Sequence, residues 1–203
     1  MINKAGKLAI IGAGGHGKVL KEIAQLNGFL NIFFFDDYKV VDNDNFFGNT
    51  NKLIENHNEY EFFFVAIGNN LKRKEKIQLL LQKKLNVINL IHPSAVISES
   101  AKLQKGIAIM ANATINANTK INLGSIINTS AIIDHDCEIG SYVHICPGVK
   151  LAGNVKVGDL TWIGIGSTVI ENIIIENEVT VGAGGVVINN LKRKLKVKGI
   201  PAK

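Results

Sequence analysis

A small, mostly parallel α/β domain followed by a parallel β-helix is the fold class predicted by this 203-residue sequence. Two observations carry the prediction. From Ile91 to Val187 every sixth residue is Ile, Leu or Val, without a slip. Before residue 90 that period is absent, and short apolar runs alternate with segments of helical spacing.

The N-terminal elements follow in order. Lys7–Ile11 (KLAII) is a buried-type strand, and Lys18–Leu26 is a helix with Val19, Ile23 and Leu26 on one face. Ile32–Phe35 is a second strand, ending in Asp36-Asp37. Phe62–Ile67 is a third, ending in Gly68-Asn69-Asn70. Leu71–Leu85 is a helix whose apolar positions are Ile77, Leu80 and Leu81, and Val87–Ile91 is a last strand. This β-α-β-β-α-β order implies a small, mostly parallel sheet.

In the second half each hexad is one flat side of a prism, and three make a coil. The large aliphatic points inward. The residue two places earlier is small (Ala113, Thr119, Ser125, Ala131, Cys137, Thr161, Ser167) and sits near the bend between faces. Asn112, Asn116, Asn118, Asn122, Gly124, Gly140, Gly158 and Gly164 are read as turn residues needing positive φ. One coil cannot bury its own apolar edge, so stacking creates the core. The expected domains are 1–90, 91–188 and a basic tail, 189–203.

Net charge is +6, but the cations concentrate in residues 72–76 and 192–203, and aromatics are only 6%. That favours a small anionic ligand over a nucleic acid. Two cysteines make no disulfide framework and point to a reducing, cytoplasmic setting. The run Leu8–Ile11 is too short for a signal segment, and no stretch has the length of a membrane span.

Gly12, Gly14 and Gly17 spell G-x-G-x-x-G between a strand and a helix, where backbone can approach phosphate. Asp36 closes the next strand, near the ribose-reading position of a dinucleotide fold, yet the rest of the chain is a β-helix, which argues against NAD. Asn69 is read equally as a ligand contact or a helix cap, and Arg73 as a solvated helix residue. His135 follows the inward Ile133 by two places, so its side chain leaves the core. Histidine suits general-base work near neutral pH, and the flanking Asp134 and Asp136 can orient it. Gly153 follows His135 by one full coil and stacks beside it, and His144 lies at another edge of the same coil. Cys137 occupies a small-residue position, so packing is preferred to a nucleophilic role.

The hexad run and the closing Gly199-Ile200-Pro201-Ala202-Lys203 resemble the hexapeptide-repeat acyltransferases, which form left-handed β-helices. With Gly12-Ala13-Gly14-Gly15-His16-Gly17, Phe35-Asp36-Asp37, Ala66-Ile67-Gly68-Asn69-Asn70, Asn128-Thr129, Asp134-His135-Asp136-Cys137 and Leu151-Ala152-Gly153-Asn154, the whole chain resembles the nucleotide-sugar N-acetyltransferases and the sialic-acid-type O-acetyltransferases. The resemblance implies a Rossmann-like sugar-nucleotide domain, a homotrimer, and acetyl-CoA bound between neighbouring β-helices. It implies a UDP-linked amino sugar, with Asp36 and Asp37 at the uridine end and Gly14 and His16 around the phosphates or sugar. It implies His135 as base, supported by Asp136, and Gly153 N–H as oxyanion donor. It puts Asn128 (equally readable as a turn residue), His144, Ile165 and Ala183 near substrate or acetyl-CoA, with Gly153 at the cofactor; the charge of the basic tail suits the cofactor's phosphates. Asp136 stands where members acting on 4-amino sugars often have Glu. O-acetylation of a sialic-acid-type sugar, or a non-catalytic sugar-nucleotide binder, are the alternatives. A carbonic anhydrase of the same fold needs zinc histidines five apart; no pair here has that spacing, so no metal is expected.

Overall fold

The computed structural model describes residues 5–38 and 46–203. The chain forms two compact units, residues 1–93 and 94–203.

The first unit is built on a parallel four-stranded sheet, β3-β2-β1-β4, formed by β1 (Lys7–Ile11), β2 (Asn31–Phe35), β3 (Phe46–Gly48) and β4 (Phe62–Val65). α1 (Gly15–Leu26), α2 (Thr50–Glu55) and α3 (Asn70–Gln82) connect or flank these strands. β3 and α2 escape the sequence reading because both are short and their polar flanks mask any period. Val87 adds only an isolated bridge to Phe63, and what remains of the expected last strand, β5 (Leu90–Ile91), is not part of the four-stranded sheet. Leu8, Ala9 and Ile10 are fully buried, as a central parallel strand requires. Around them, Phe33, Phe35, Phe63 and Tyr60 pack edge to face.

Two helix faces differ from expectation. The core side of α1 is Gly17, Leu20, Ile23 and Ala24, whereas Val19 and Leu26 are exposed. On α3 the buried seam is Asn70, Arg73, Ile77 and Leu80. Arg73 is therefore not a solvated residue: its spacing from Ile77 and Leu80 places it inward, and it is 1% exposed.

The second unit is a left-handed parallel β-helix. Its strands are two residues long, from β6 (Val96–Ile97) to β22 (Lys196–Val197). They form three faces, in order β6-β9-β12-β15-β18-β21, β7-β10-β13-β16-β19 and β8-β11-β14-β17-β20-β22. Each strand pairs with the one a coil away: Ile133 meets Ile115 and Leu151, and Ile145 meets Ile127 and Ile163. The hexad residue is the second residue of every strand from β6 to β21. From Ile109 to Val187 these residues are at most 3% exposed, so the interior is a dry aliphatic column. The basic C-terminal segment continues the stack, with Thr180 paired to Lys196 and Val181 to Val197.

A second ladder runs beside the column. Thr119, Ser125, Thr161 and Ser167 are fully buried, and each hydroxyl donates to a backbone carbonyl further along the chain: Asp134, Gly140, Glu176 and Gly182, at 2.7–3.0 Å. The small position thus closes the corner by a hydrogen bond as well as by its size.

The corners also refine the turn residues. Positive φ recurs every six residues, at Gly106, Asn112, Asn118, Gly124, Ser130, Asp136, Tyr142, Gly148 and onward to Gly184. Gly140, Gly158 and Gly164 lie outside this set. A Cβ at Gly140 would stand 2.6 Å from Asp159 Oδ1, and one at Gly164 would stand 2.6 Å from the Val181 carbonyl. Close approach of the adjacent coil, rather than φ, requires glycine there. Asn116 and Asn122 are likewise outside the set and make side-chain bonds between coils.

Candidate active site

In the first unit the chain runs outward from β1 to β2 and β3, then returns to place β4 on the other side of β1. That reversal opens a crevice beyond the carboxyl ends of β1 and β4, where open α/β sheets bind ligands. A cleft of about 380 Å³ lies there, lined by Gly12, Gly14, His16, Asp36, Asp37 and the Ala66–Gly68 turn, among others. Gly12 has φ +109°, and a Cβ there would lie 2.5 Å from the Ala66 carbonyl. Gly17 is pressed against the Gly12 carbonyl, whereas Gly14 has open space. Two of the three glycines serve close packing of the turn, and Gly14 leaves the cleft side clear.

The carboxylates brace this cleft. Asp36 accepts from the Ala13 and Tyr38 N–H groups at 2.8 and 2.9 Å. Asp37 accepts from Thr50 N at 2.8 Å and pairs with Lys76 at 2.7 Å. Burial pushes the Asp37 carboxyl up, but the bonds from Lys76 and Thr50 outweigh it and hold it below the usual range. Burial, then the charge of Arg73, lowers His16 to about 4. At neutral pH His16 is therefore an uncharged imidazole, suited to a directed hydrogen bond rather than to phosphate charge. Asn69 is the N-cap of α3, accepting from Lys72 N at 3.0 Å, and is not part of the cleft lining. The structure thus shows the capping role of Asn69. Lys72 and Lys76, from the basic 72–76 cluster, also line the cleft, as does Tyr38, which was not singled out in the sequence.

In the β-helix, His135 follows β12 at an exposed corner. Its Nδ1 lies 2.8 Å from Asp136 Oδ2, and its backbone N–H donates to Asp134 Oδ1 at 2.8 Å. The preceding coil holds both carboxylates: Asn116 donates to Asp134 at 2.9 Å and Asn118 to Asp136 at 3.1 Å. Asp136 reaches the ring from a left-handed backbone, φ +58°, which Asp tolerates better than most residues. The bond to Asp136, then the charge of Asp134, raises the His135 pKa above its ordinary value. With Nδ1–H donated to Asp136, Nε2 keeps its lone pair. Gly153 stacks one coil later; a Cβ on it would stand 2.8 Å from Nε2.

A second surface is lined by Asn128, His144, Cys146, Trp162, Ile165 and Ala183, with neighbours, around a volume of about 430 Å³. Asn128 Oδ1 accepts from Thr129 N at 2.8 Å, which turns its amide nitrogen toward His144 Nε2, 3.1 Å away. The His144 ring, 5% exposed, packs on Trp162 at 4.2 Å. Trp162 was missed, although its position one coil after His144 was a usable signal. Four of the five expected cofactor residues meet here. Gly153 does not; it stays with His135, because a strand, β12, separates the Asn128 corner from the His135 corner.

Cys137 Sγ sits 3.2 Å from the Ala152 carbonyl, and burial pushes its thiol up to about 11. It is a packing residue. Among the described residues no group of three or more His, Cys, Asp and Glu could hold a metal ion. No described helix is long and apolar enough to cross a membrane.

Residues 7–80 match the family described as the PglD N-terminal domain. The structure superposes with a TM-score of 0.93 on PerB from Caulobacter crescentus in complex with CoA and GDP-perosamine. The two are 38% identical over 98% of this chain and 96% of that one. The chain belongs to the hexapeptide-repeat sugar N-acetyltransferases. The acetyltransferase domain of PglB from Neisseria gonorrhoeae, in complex with acetyl coenzyme A, gives TM-score 0.93 at 37% identity, covering 98% of both chains. UDP-N-acetylbacillosamine N-acetyltransferase of Bacillus subtilis is 37% identical over 108 residues, half of each chain.

Proposed function

We propose that this protein transfers acetyl from acetyl-CoA to the amine of a nucleotide-linked amino sugar, with His135 as general base. The observation that carries the reading is the His135–Asp136 pair, seated on a glycine that leaves its Nε2 face clear. Nε2 takes a proton as the amine nitrogen attacks the thioester carbon. The C–N bond forms, the C–S bond breaks, and the proton passes to the departing thiolate. No acyl-enzyme is needed, which agrees with two cysteines whose thiols are both held far above neutral pH. The Gly153 N–H is the proposed oxyanion donor.

The cleft of the N-terminal unit holds the nucleotide-sugar, a UDP- or GDP-linked 4-amino sugar, in keeping with the relatives of both kinds. Acetyl-CoA lies along the Asn128–His144–Trp162–Ala183 surface. Within one chain that surface and His135 occupy different corners of the prism, which supports a homotrimer in which one copy's surface serves a neighbour's histidine. At the foot of the surface, Lys196 continues the outward row of His144, Trp162 and Thr180. Lys192, Arg193 and Lys194 pair with Glu176 and Glu178. Of the remaining tail cations, Lys196 in that row and the nearby Lys198 are the ones assigned to the CoA phosphates.

The test is thiol release from acetyl-CoA with a UDP-4-amino-4,6-dideoxy-sugar and with GDP-perosamine, run beside His135→Ala. Release with either sugar, reduced about 10²-fold or more in the variant, supports the reading. Release only with a hydroxyl acceptor rejects N-acetylation, and equal rates in both proteins reject His135 as base.

A further inference from the structure

The floor of the nucleotide cleft rests on a side chain that does not line it. Arg73 lies on the inward seam of α3, 1% exposed. Its Nη1 donates to the carbonyls of Ile67 and Gly68, both at 2.9 Å, and its Nη2 to Asn70 Oδ1 at 2.8 Å. Packing alone does not account for a guanidinium here. Burying a charge is costly, and an apolar chain of similar length fills a helix seam without that cost. What the charge adds is a grip on the 67–70 turn, and Ile67 and Gly68 are cleft walls.

Stereochemistry gives the grip a direction. A trans peptide unit is planar, with its C=O and the following N–H on opposite sides. Drawing the Ile67 and Gly68 carbonyls down to Arg73 therefore turns the N–H groups of Gly68 and Asn69 away from it. Gly68 and Asn69 immediately precede α3, whose aligned peptide dipoles favour negative charge at that end. The same guanidinium, second to burial, keeps the neighbouring His16 neutral.

We propose that Arg73 is a positioning residue of this cleft: from beneath, it fixes the Ile67–Asn70 turn in the form that receives the anionic, oxygen-rich diphosphate and sugar of the ligand. The inference rests on the nucleotide-sugar reading above. It goes beyond that reading in giving a residue outside the cleft control over sugar-nucleotide affinity and none over the acetyl-transfer step.

The experiment compares wild type with Arg73→Met, Arg73→Lys and Asn70→Ala. Binding of UDP and GDP is followed by calorimetry, and KM and kcat are measured for both substrates, with a melting curve for each protein. Arg73→Met is expected to raise the nucleotide Kd and the sugar-nucleotide KM by about tenfold or more, the scale of losing charged hydrogen bonds. Saturating kcat and the acetyl-CoA KM stay within about twofold, because neither involves this turn. Arg73→Lys, which keeps the charge but not the fork, recovers part of the affinity. If Arg73→Met does not fold, Asn70→Ala carries the test, with a smaller rise of the same kind. A folded variant with wild-type nucleotide affinity overturns the inference, as does an equal fall in kcat and in binding of both substrates. A wild type that binds neither UDP nor GDP overturns the cleft reading itself, and the inference with it.

Discussion

The corner that holds His135 has no room for a side chain at position 153. A Cβ on Gly153 would stand 2.6 Å from His135 Cε1, 2.8 Å from Nε2 and 3.3 Å from Nδ1. Non-bonded carbons settle at about 3.5–4.0 Å, so in Gly153→Ala the ring must retreat by about 1 Å. Gly153 is outside the left-handed region, so its own backbone accepts alanine. The His135 side chain is 58% exposed and can swing into solvent, giving up its 2.8 Å bond to Asp136. Folding stability should then change little, within about 1 kcal/mol, or a few degrees in Tm. Catalysis should suffer far more, because a misplacement of about 1 Å can cost roughly 10²-fold. The assay is thiol release at saturating substrates with a parallel melting curve. The expected result is kcat down about 10²-fold with Tm nearly unchanged. The double variant with His135→Ala should be no slower than His135→Ala alone, because both act through one ring. The alanine keeps its N–H, so this loss is distinct from loss of an oxyanion donor. Activity within about threefold of wild type would refute the reasoning.

Asp136→Asn removes the contact that chiefly raises the His135 pKa, so the acid limb of the kcat/KM profile should move to lower pH, with Asp134 retaining part of the elevation; an unmoved limb in the pH–rate profile rejects that assignment. Trp162→Ala removes the ring on which His144 packs and should raise the acetyl-CoA KM about tenfold while leaving nucleotide affinity unchanged, as steady-state kinetics would show. Lys196→Ala with Lys198→Ala should erase discrimination between acetyl-CoA and its 3′-dephospho analogue; undiminished discrimination removes both lysines from the phosphate site. Ile145→Ala opens the aliphatic column between Ile127 and Ile163 and should cost about 2–5 kcal/mol, lowering Tm by roughly 5–15 °C.

Much of this molecule was legible because its largest unit is quasi-one-dimensional. A coil contacts only its neighbours, so a strict sixfold repeat fixes which residues stack, and Gly153 could be set beside His135 by counting alone. The four groove residues, by contrast, came from resemblance, and only the structure gathers them on one surface and adds Trp162. In the first unit the glycine turn and the strand ends were readable, since both are local. Arg73 was misread because its charge outweighed its spacing, although that spacing matches Ile77 and Leu80 on the same buried seam.

The sequence by itself determined the period, the inward column, the glycine turn and the position of His135, because each follows from side-chain spacing along a regular backbone. Only the tertiary structure decided that Asp36 and Asp37 brace the cleft, that His16 is neutral, that Asn69 caps a helix and that Arg73 holds a loop from below. Those properties depend on burial and on partners up to tens of residues away, such as Ala13 for Asp36 and Arg73 for His16. Spacing along the chain carries no record of them.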